Sequence, residues 1–219
     1  MRAPPISLFL IDSSPLFTEL LSRGLERQGE FRVVGIASET DNTYFRILEQ
    51  RPELVLADVE LPGKGIFTIA EELAIRLPDT RVALLTSFLT DVFLDQVLRQ
   101  GLAGYLLKTE SFARLQDHLR QLAQGKTVFS PEVADRIEFD PLQRQLQVKT
   151  QSFLRGLTNR QLEVLRHLAR GESVKEVARV MVLSERAIES HKYRIMQKLG
   201  IHDRVELTRY AIREGLTLP

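Results

Sequence analysis

The sequence predicts an α/β domain, a five-stranded parallel sheet wound on both faces by helices, followed by an all-α unit of four helices. Three observations predict it. Five short apolar runs alternate with five helix-like stretches over residues 1–124. Four of those runs lead directly into a polar or charged residue. Residues 155–219 carry only helix-like periodicity, punctuated by Ser, Thr and Asp caps and by glycine stops.

The runs are ISLFLI (6–11), FRVVGIA (31–37), ELVLA (53–57), RVALL (81–85) and GYLL (104–107), each of strand length and bounded by turn signals. Between them, PLFTELLSRGLERQ places Phe17, Leu20, Leu21 and Leu25 on one helical face, and TYFRILEQ, FTIAEELAIRL, DVFLDQVLRQ and FARLQDHLRQLAQ behave alike. Strands that alternate with helices form a parallel sheet covered on both faces.

The residues just past the strands carry the chemistry. Asp12, Asp58, Thr86 and Lys108 all fall at C-terminal strand ends. In an open α/β sheet that edge binds ligands, near the switch in strand order. Two carboxylates suit a hard cation such as Mg2+. A hydroxyl and an ammonium suit phosphate oxygens. The set fits phosphoryl transfer onto a carboxylate. One such residue alone reads as an ordinary loop residue; four in order do not.

PELVLADVELPGKG resembles the phosphoacceptor segment of bacterial response-regulator receiver domains, and LLTSF and GYLLKTES resemble their switch-threonine and lysine segments. The resemblance covers about residues 5–124. It implies Asp58 as phosphoacceptor and Asp12, Asp58 and the Glu60 carbonyl as holders of Mg2+. It implies Thr86 and Lys108 as contacts of the phosphoryl group, and Pro62-Gly63 as the turn after the acceptor strand. Tyr105 would turn inward when Thr86 is recruited; a half-buried strand aromatic is the alternative. Receivers carry two adjacent acids after the first strand, and here the second position is Ser13. A hydroxyl replaces a carboxylate poorly on a hard ion, so weakened Mg2+ binding is expected. Two readings are open: phosphorylation with a relaxed metal requirement, or an atypical receiver governed by a protein partner.

Residues 125–154 read as a linker. SPEVADRI predicts a short helix with Ser130 as N-cap and Pro131 at its first position. RIEFDPLQRQLQV alternates around a Pro-containing turn, which predicts a β-hairpin; a tether with incidental apolar residues is the alternative.

In residues 155–219, Leu162, Leu165 and Leu168 share a helical face behind a Thr158-x-x-Gln161 capping box, and Gly171 ends that helix. Ser173-x-x-Glu176 caps a second helix. Ser184 opens a longer, basic third helix stopped by Gly200, and Asp203-x-x-Glu206 opens a fourth. A tight turn into a longer basic helix is the pattern that lays a recognition helix in the DNA major groove. Ala187, Ile188, His191, Ile195 and Leu199 should face inward, with His191 packed in the core. Arg186, Lys192, Arg194 and Lys198 face outward, suited to phosphates, as does Gln197. Glu189, Ser190 and Tyr193 are placed for base edges. A solvated helix face is the alternative. The segment from LTNRQLEVL to AIREGL resembles the LuxR-type DNA-binding domain along its length, on the spacing of Glu163-Val164-Leu165, Lys175-Glu176-Val177-Ala178 and His191…Lys198-Leu199. Ala187 departs from the hydroxylated or β-branched residue frequent there.

Receiver and LuxR-type tail together resemble the NarL/FixJ class of response regulators. That implies a cytoplasmic transcription regulator that receives phosphoryl groups from a sensor histidine kinase or another donor. It would bind double-stranded DNA, as a homodimer when active, by a shift between two populations. Charge agrees: residues 1–124 hold 13 Lys and Arg against 17 Asp and Glu, net −4, while residues 157–219 hold 12 against 8, net +4. With no cysteine there are no disulfides or thiolate sites. No run approaches the roughly 20 apolar residues of a membrane helix, and the start MRAPPISLFLID lacks a signal-peptide cleavage site. No separate substrate pocket points to a stand-alone enzyme.

Overall fold

A computed structural model describes residues 4–40, 42–63, 65–149 and 153–217. The start Met1–Ala3 and the end Leu218-Pro219, which fall within the expected domain ranges, lie outside them. The chain forms two compact units: Met1–Leu89 with Arg99–Asp135, and Thr90–Leu98 with Arg136–Pro219.

The first unit is built on strands β1 (Ile6–Ile11), β2 (Phe31–Ala37), β3 (Leu54–Ala57), β4 (Arg81–Thr86) and β5 (Gly104–Leu107). Its helices are α1 (Pro15–Glu26), α2 (Thr43–Gln50), α3 (Ile66–Arg76) and, after β5, α5 (Phe112–Ala123), while α4 (Asp91–Gln100), between β4 and β5 in the chain, falls almost wholly in the second unit. The five strands stand where the apolar runs put them. The sheet has six strands rather than five, because β6 (Val128–Phe129) adds to the far edge, in the order β2-β1-β3-β4-β5-β6, all parallel. It therefore runs past residue 124, where the sequence reading ended the domain. The addition depends on a glycine: a Cβ at Gly104 would stand 2.5 Å from the Val128 carbonyl oxygen.

Leu8, Leu10, Leu54, Leu56 and Leu106 bury one sheet face against Leu21 and Leu25 of α1 and Leu119 and Leu122 of α5. The alternate residues Phe9, Ile11, Val55, Leu84 and Tyr105 are equally buried, as a sheet covered on both sides requires. One expectation fails on α1. Leu20 is 61% exposed, and Thr18 takes the buried place beside Leu21 and Leu25. Its hydroxyl satisfies itself on the Pro15 carbonyl at 3.0 Å.

After β6 come α6 (Pro131–Ala134) and a hairpin of β7 (Ile137–Asp140) and β8 (Gln145–Val148). Ser130 does not cap α6 with its side chain. Its hydroxyl accepts a hydrogen bond from the Leu107 amide at 2.9 Å instead.

The second unit contains a 3-10 turn (Phe153–Gly156), α7 (Asn159–Ala169), α8 (Val174–Val180), α9 (Glu185–Leu199) and α10 (Arg204–Arg213). Capping boxes at Thr158/Gln161 and Ser173/Glu176 are both formed. Asp203 accepts from the Glu206 amide at 2.9 Å. Leu162, Leu165, Leu168, Ile188, Ile195 and Leu207 make its core. No helix among the described residues is long and apolar enough to cross a membrane.

Val182, in the turn between α8 and α9, sits at φ 54°, and its side chain is 78% exposed. A β-branched residue is strained there, while glycine is not. Val182→Gly should raise stability by about 0.5–1 kcal/mol in urea unfolding, because little burial is lost. His191 has a buried Nδ1 without a hydrogen-bond partner among the described residues. Burial, then the charges of Arg160 and Arg194, hold its pKa below the usual 6.5. As pH falls below that value the unfolded chain takes up the proton first, so stability declines until the lower folded value is passed. Between about pH 7.5 and about pH 5.5, wild type should lose more stability than His191→Leu.

Candidate functional site

Four residues at the C-terminal ends of β1, β3, β4 and β5 meet in one pocket, and backbone pairing sets them there. The Asp12 amide donates to the Ala37 carbonyl at 3.0 Å, the Asp58 amide to Ile11 at 2.9 Å, and the Lys108 amide to Thr86 at 2.9 Å. Each residue just past its strand is thus still tied to the neighbouring one. The order reverses at β1, between β2 and β3, which opens the crevice at this edge.

The side chains close on one another. Lys108 Nζ lies 2.5 Å from Asp12 Oδ2 and 2.5 Å from Asp58 Oδ2. Thr86, fully buried, donates its hydroxyl to Asp58 Oδ1 at 2.7 Å. The Val59 and Glu60 amides donate to the same oxygen at 2.6 and 3.3 Å. Both carboxylates are buried, 4% exposed for Asp12 and 5% for Asp58, so their partners must replace water. Burial pulls the Lys108 ammonium toward neutrality, but hydrogen bonds and charge from Asp12 and Asp58 outweigh it, and its pKa is raised above 10.5. It stays charged at any physiological pH.

The pocket is linked onward to the segment after β4. Thr86 Oγ1 accepts from the Phe88 amide at 3.3 Å, and the Tyr105 hydroxyl donates to the Phe88 carbonyl at 2.6 Å. Tyr105 is fully buried, not half-buried. Sequence reasoning overlooked three contributors. The Ser14 amide donates to Asp12 Oδ1 at 2.9 Å while Ser14 caps α1, the Phe17 ring lies 4.7 Å from Lys108 Nζ, and Ser130 holds the end of β5. Ser14 directly before Pro15 is a cap signal that could have been read; the Phe17 contact has no local signature.

The side chains fit a tightly held Mg2+ poorly. Asp12 Oδ2 and Asp58 Oδ2 share one ammonium, and Asp12 Oδ1 and Asp58 Oδ1 accept backbone or hydroxyl donors. Ser13 is exposed. Among the described residues no group of three or more His, Cys, Asp or Glu could hold a metal ion. Two carboxylates are one fewer anionic donor than the resemblance calls for, since Ser13 stands at the second acidic position.

On the second unit, α9 presents Arg186, Glu189, Ser190, Tyr193, Arg194 and Gln197 to solvent, with Lys192 half-buried. Glu189 pairs with Lys192 at 2.7 Å, and Gln197 donates to the Tyr193 hydroxyl at 2.7 Å. Arg186 and Arg194 form no ion pair among the described residues. Lys198 is exposed, and its ammonium already has partners. The ammonium donates to the Gly156 carbonyl at 2.7 Å and to Gln161 Oε1 at 3.0 Å, and so ties α9 to the start of α7.

Comparison with known proteins agrees with this division. Residues 8–120 match the response regulator receiver domain, a family that generally binds Mg2+ for phosphorylation, and residues 155–211 match the bacterial regulatory proteins of the luxR family. The chain is 29% identical to the uncharacterized transcriptional regulatory protein YxjL of Bacillus subtilis, over 99% of each chain. It is 30% identical to the oxygen regulatory protein NreC of Staphylococcus aureus, over 88% of this chain and 90% of that one. The response regulator RcsB of Salmonella typhimurium has a similar fold, with a TM-score of 0.72 at 23% identity over 97% of this chain and 99% of that one. So does RcsB of Salmonella enterica serovar Typhimurium bound to the promoter rprA with the phosphomimetic BeF3−, with a TM-score of 0.67 at 22% identity over 94% and 98%. A receiver pocket at one sheet edge, a helix-turn-helix unit and full-length relatives of the same design together establish that the chain belongs to the two-component response regulators that join a receiver to a LuxR-type DNA-binding domain.

Proposed function

We propose that Asp58 is the residue of this regulator that accepts the phosphoryl group, and that α9 is the helix it brings to double-stranded DNA. The observation that carries this reading is the cluster of buried Asp58 and Thr86 with half-buried Lys108, joined by contacts of 2.5–2.7 Å. An Asp58 oxygen attacks phosphorus, the bond to the donor's leaving group breaks, and that group departs with its electrons. The Lys108 ammonium and the Thr86 hydroxyl face the charge on the transferred oxygens, where fixed donors in a buried site act strongly. Asp12 keeps Lys108 oriented.

The same contacts supply a switch. A phosphoryl group on Asp58 competes for the Thr86 hydroxyl, which also holds the Phe88 amide, and Tyr105 holds the Phe88 carbonyl. Recruitment of Thr86 therefore changes the geometry of Phe88 and favours the DNA-binding population. The donor is a sensor histidine kinase or a small phosphodonor in the cytoplasm. The active form is a homodimer that sets two recognition helices roughly 34 Å apart, one DNA turn. The solved RcsB complex with promoter DNA and a phosphomimetic is consistent with such a cycle. On α9, Arg186 and Arg194 contact phosphates, Lys192 adds charge, and Glu189, Ser190 and Tyr193 read base edges.

Two experiments test this. Wild type and Asp58→Ala are titrated with a duplex selected from a random pool, each with and without acetyl phosphate. Wild type should gain about tenfold in affinity with the phosphodonor, and the variant nothing; four equal affinities mean Asp58 is no switch. In the second, Arg194→Ala should weaken duplex binding and flatten the salt slope by about one. Lys198→Ala should leave the slope unchanged and lower unfolding stability by about 1 kcal/mol.

A further inference from the structure

We propose that the resident cation of the Asp58 pocket is the Lys108 ammonium, and that this receiver accepts phosphoryl groups without a bound divalent ion. The second half of this statement rests on Asp58 being the phosphoacceptor; the first does not. Charge and occupancy both point this way. The pocket holds two buried carboxylates, and a single Nζ lies 2.5 Å from an oxygen of each. Those Oδ2 atoms are the ones turned toward a shared cation. The Oδ1 atoms are turned away, to the Ser14 amide on one side and to Thr86, Val59 and Glu60 on the other.

With Lys108 in place the two acids retain a formal charge of −1, and a divalent ion entering between them must move the ammonium aside. Ser13, where a third carboxylate would offset that displacement, is exposed and offers a neutral oxygen. The ammonium is also held from another side, by the Phe17 ring 4.7 Å away. It is therefore anchored between the two carboxylates and an aromatic face.

Phosphoryl transfer from acetyl phosphate balances without a metal. One P–O bond forms to Asp58 and the P–O bond to acetate breaks. Acetate leaves as the anion, and no proton is required. Lys108 supplies the positive charge beside the moving phosphoryl group.

The test uses the full-length protein and two readouts. In the first, Mn2+ is titrated and free Mn2+ is monitored by electron paramagnetic resonance. Ser13→Asp should bind Mn2+ about 30-fold more tightly than wild type, since one more carboxylate faces a doubly charged ion at about 4 Å. Lys108→Ala should also bind it more tightly than wild type, roughly tenfold, because the competing charge is gone. Wild type binding as tightly as Ser13→Asp would overturn the proposal. Should Lys108→Ala fail to fold, the exposed Ser13 position decides alone. In the second readout, phosphoprotein formed from acetyl phosphate is measured by intact mass in EDTA and in Mg2+. Wild type should be phosphorylated to a similar extent in both, and loss of the product in EDTA would overturn the proposal. If Asp58 takes no phosphoryl group in either condition while the Mn2+ affinities split as stated, the phosphoacceptor reading fails and Lys108 remains the resident cation.

Discussion

One ammonium shared by two buried carboxylates is the constraint on which the rest of the first unit turns. Asp12 follows β1, Asp58 follows β3 and Lys108 follows β5, so the contact joins residues far apart in sequence. It forms only if these strands are parallel, in the observed order and in register. A slip of one residue would turn each side chain to the opposite sheet face and leave a charge buried without a partner. The backbone bonds from Asp58 to Ile11 and from Lys108 to Thr86 fix that register independently of the side chains. The pocket and the sheet thus specify each other.

The second unit is specified in a different way, by local chemistry at helix ends. Thr158, Ser173, Ser184 and Asp203 each open a helix by accepting a backbone amide. The Ser173 donors hold the Glu176 carboxyl below its usual range, so the cap keeps its charge. Gly200 ends α9 with a positive φ of 66°. A helix with fixed ends and an apolar inner stripe of Ile188 and Ile195 offers its outer side chains from a rigid rod.

The sequence was most legible where the signal was local. Strand runs ending in polar residues located β1, β3, β4 and β5 and gathered Asp12, Asp58, Thr86 and Lys108 at one edge. Caps located the helices of the second unit. Legibility failed where contacts are long-range or small. On α1 the apolar residues suggested that Leu20 lies inward, yet the buried stripe runs through Thr18, Leu21 and Leu25, with the threonine hydroxyl satisfied within its own helix. The two residues of β6 are too few to show a period. Lys198 lies on the outer face of its helix, but its flexible stem carries the ammonium to Gly156, far back in the chain, and periodicity says nothing about such a partner.

The glycine at the start of β5 has a consequence beyond the geometry of one strand pair. Because position 104 lacks a Cβ, Val128 and Phe129 lie against β5 and satisfy backbone groups that would otherwise line an open border. A long unpaired border is a template onto which a second polypeptide can add. Two residues of connecting chain are enough to cap it, and they leave only a very short border of their own. The absence of one methyl group thereby shortens the border that this side of the sheet offers to another chain, and leaves β2 as the longer of its two edges.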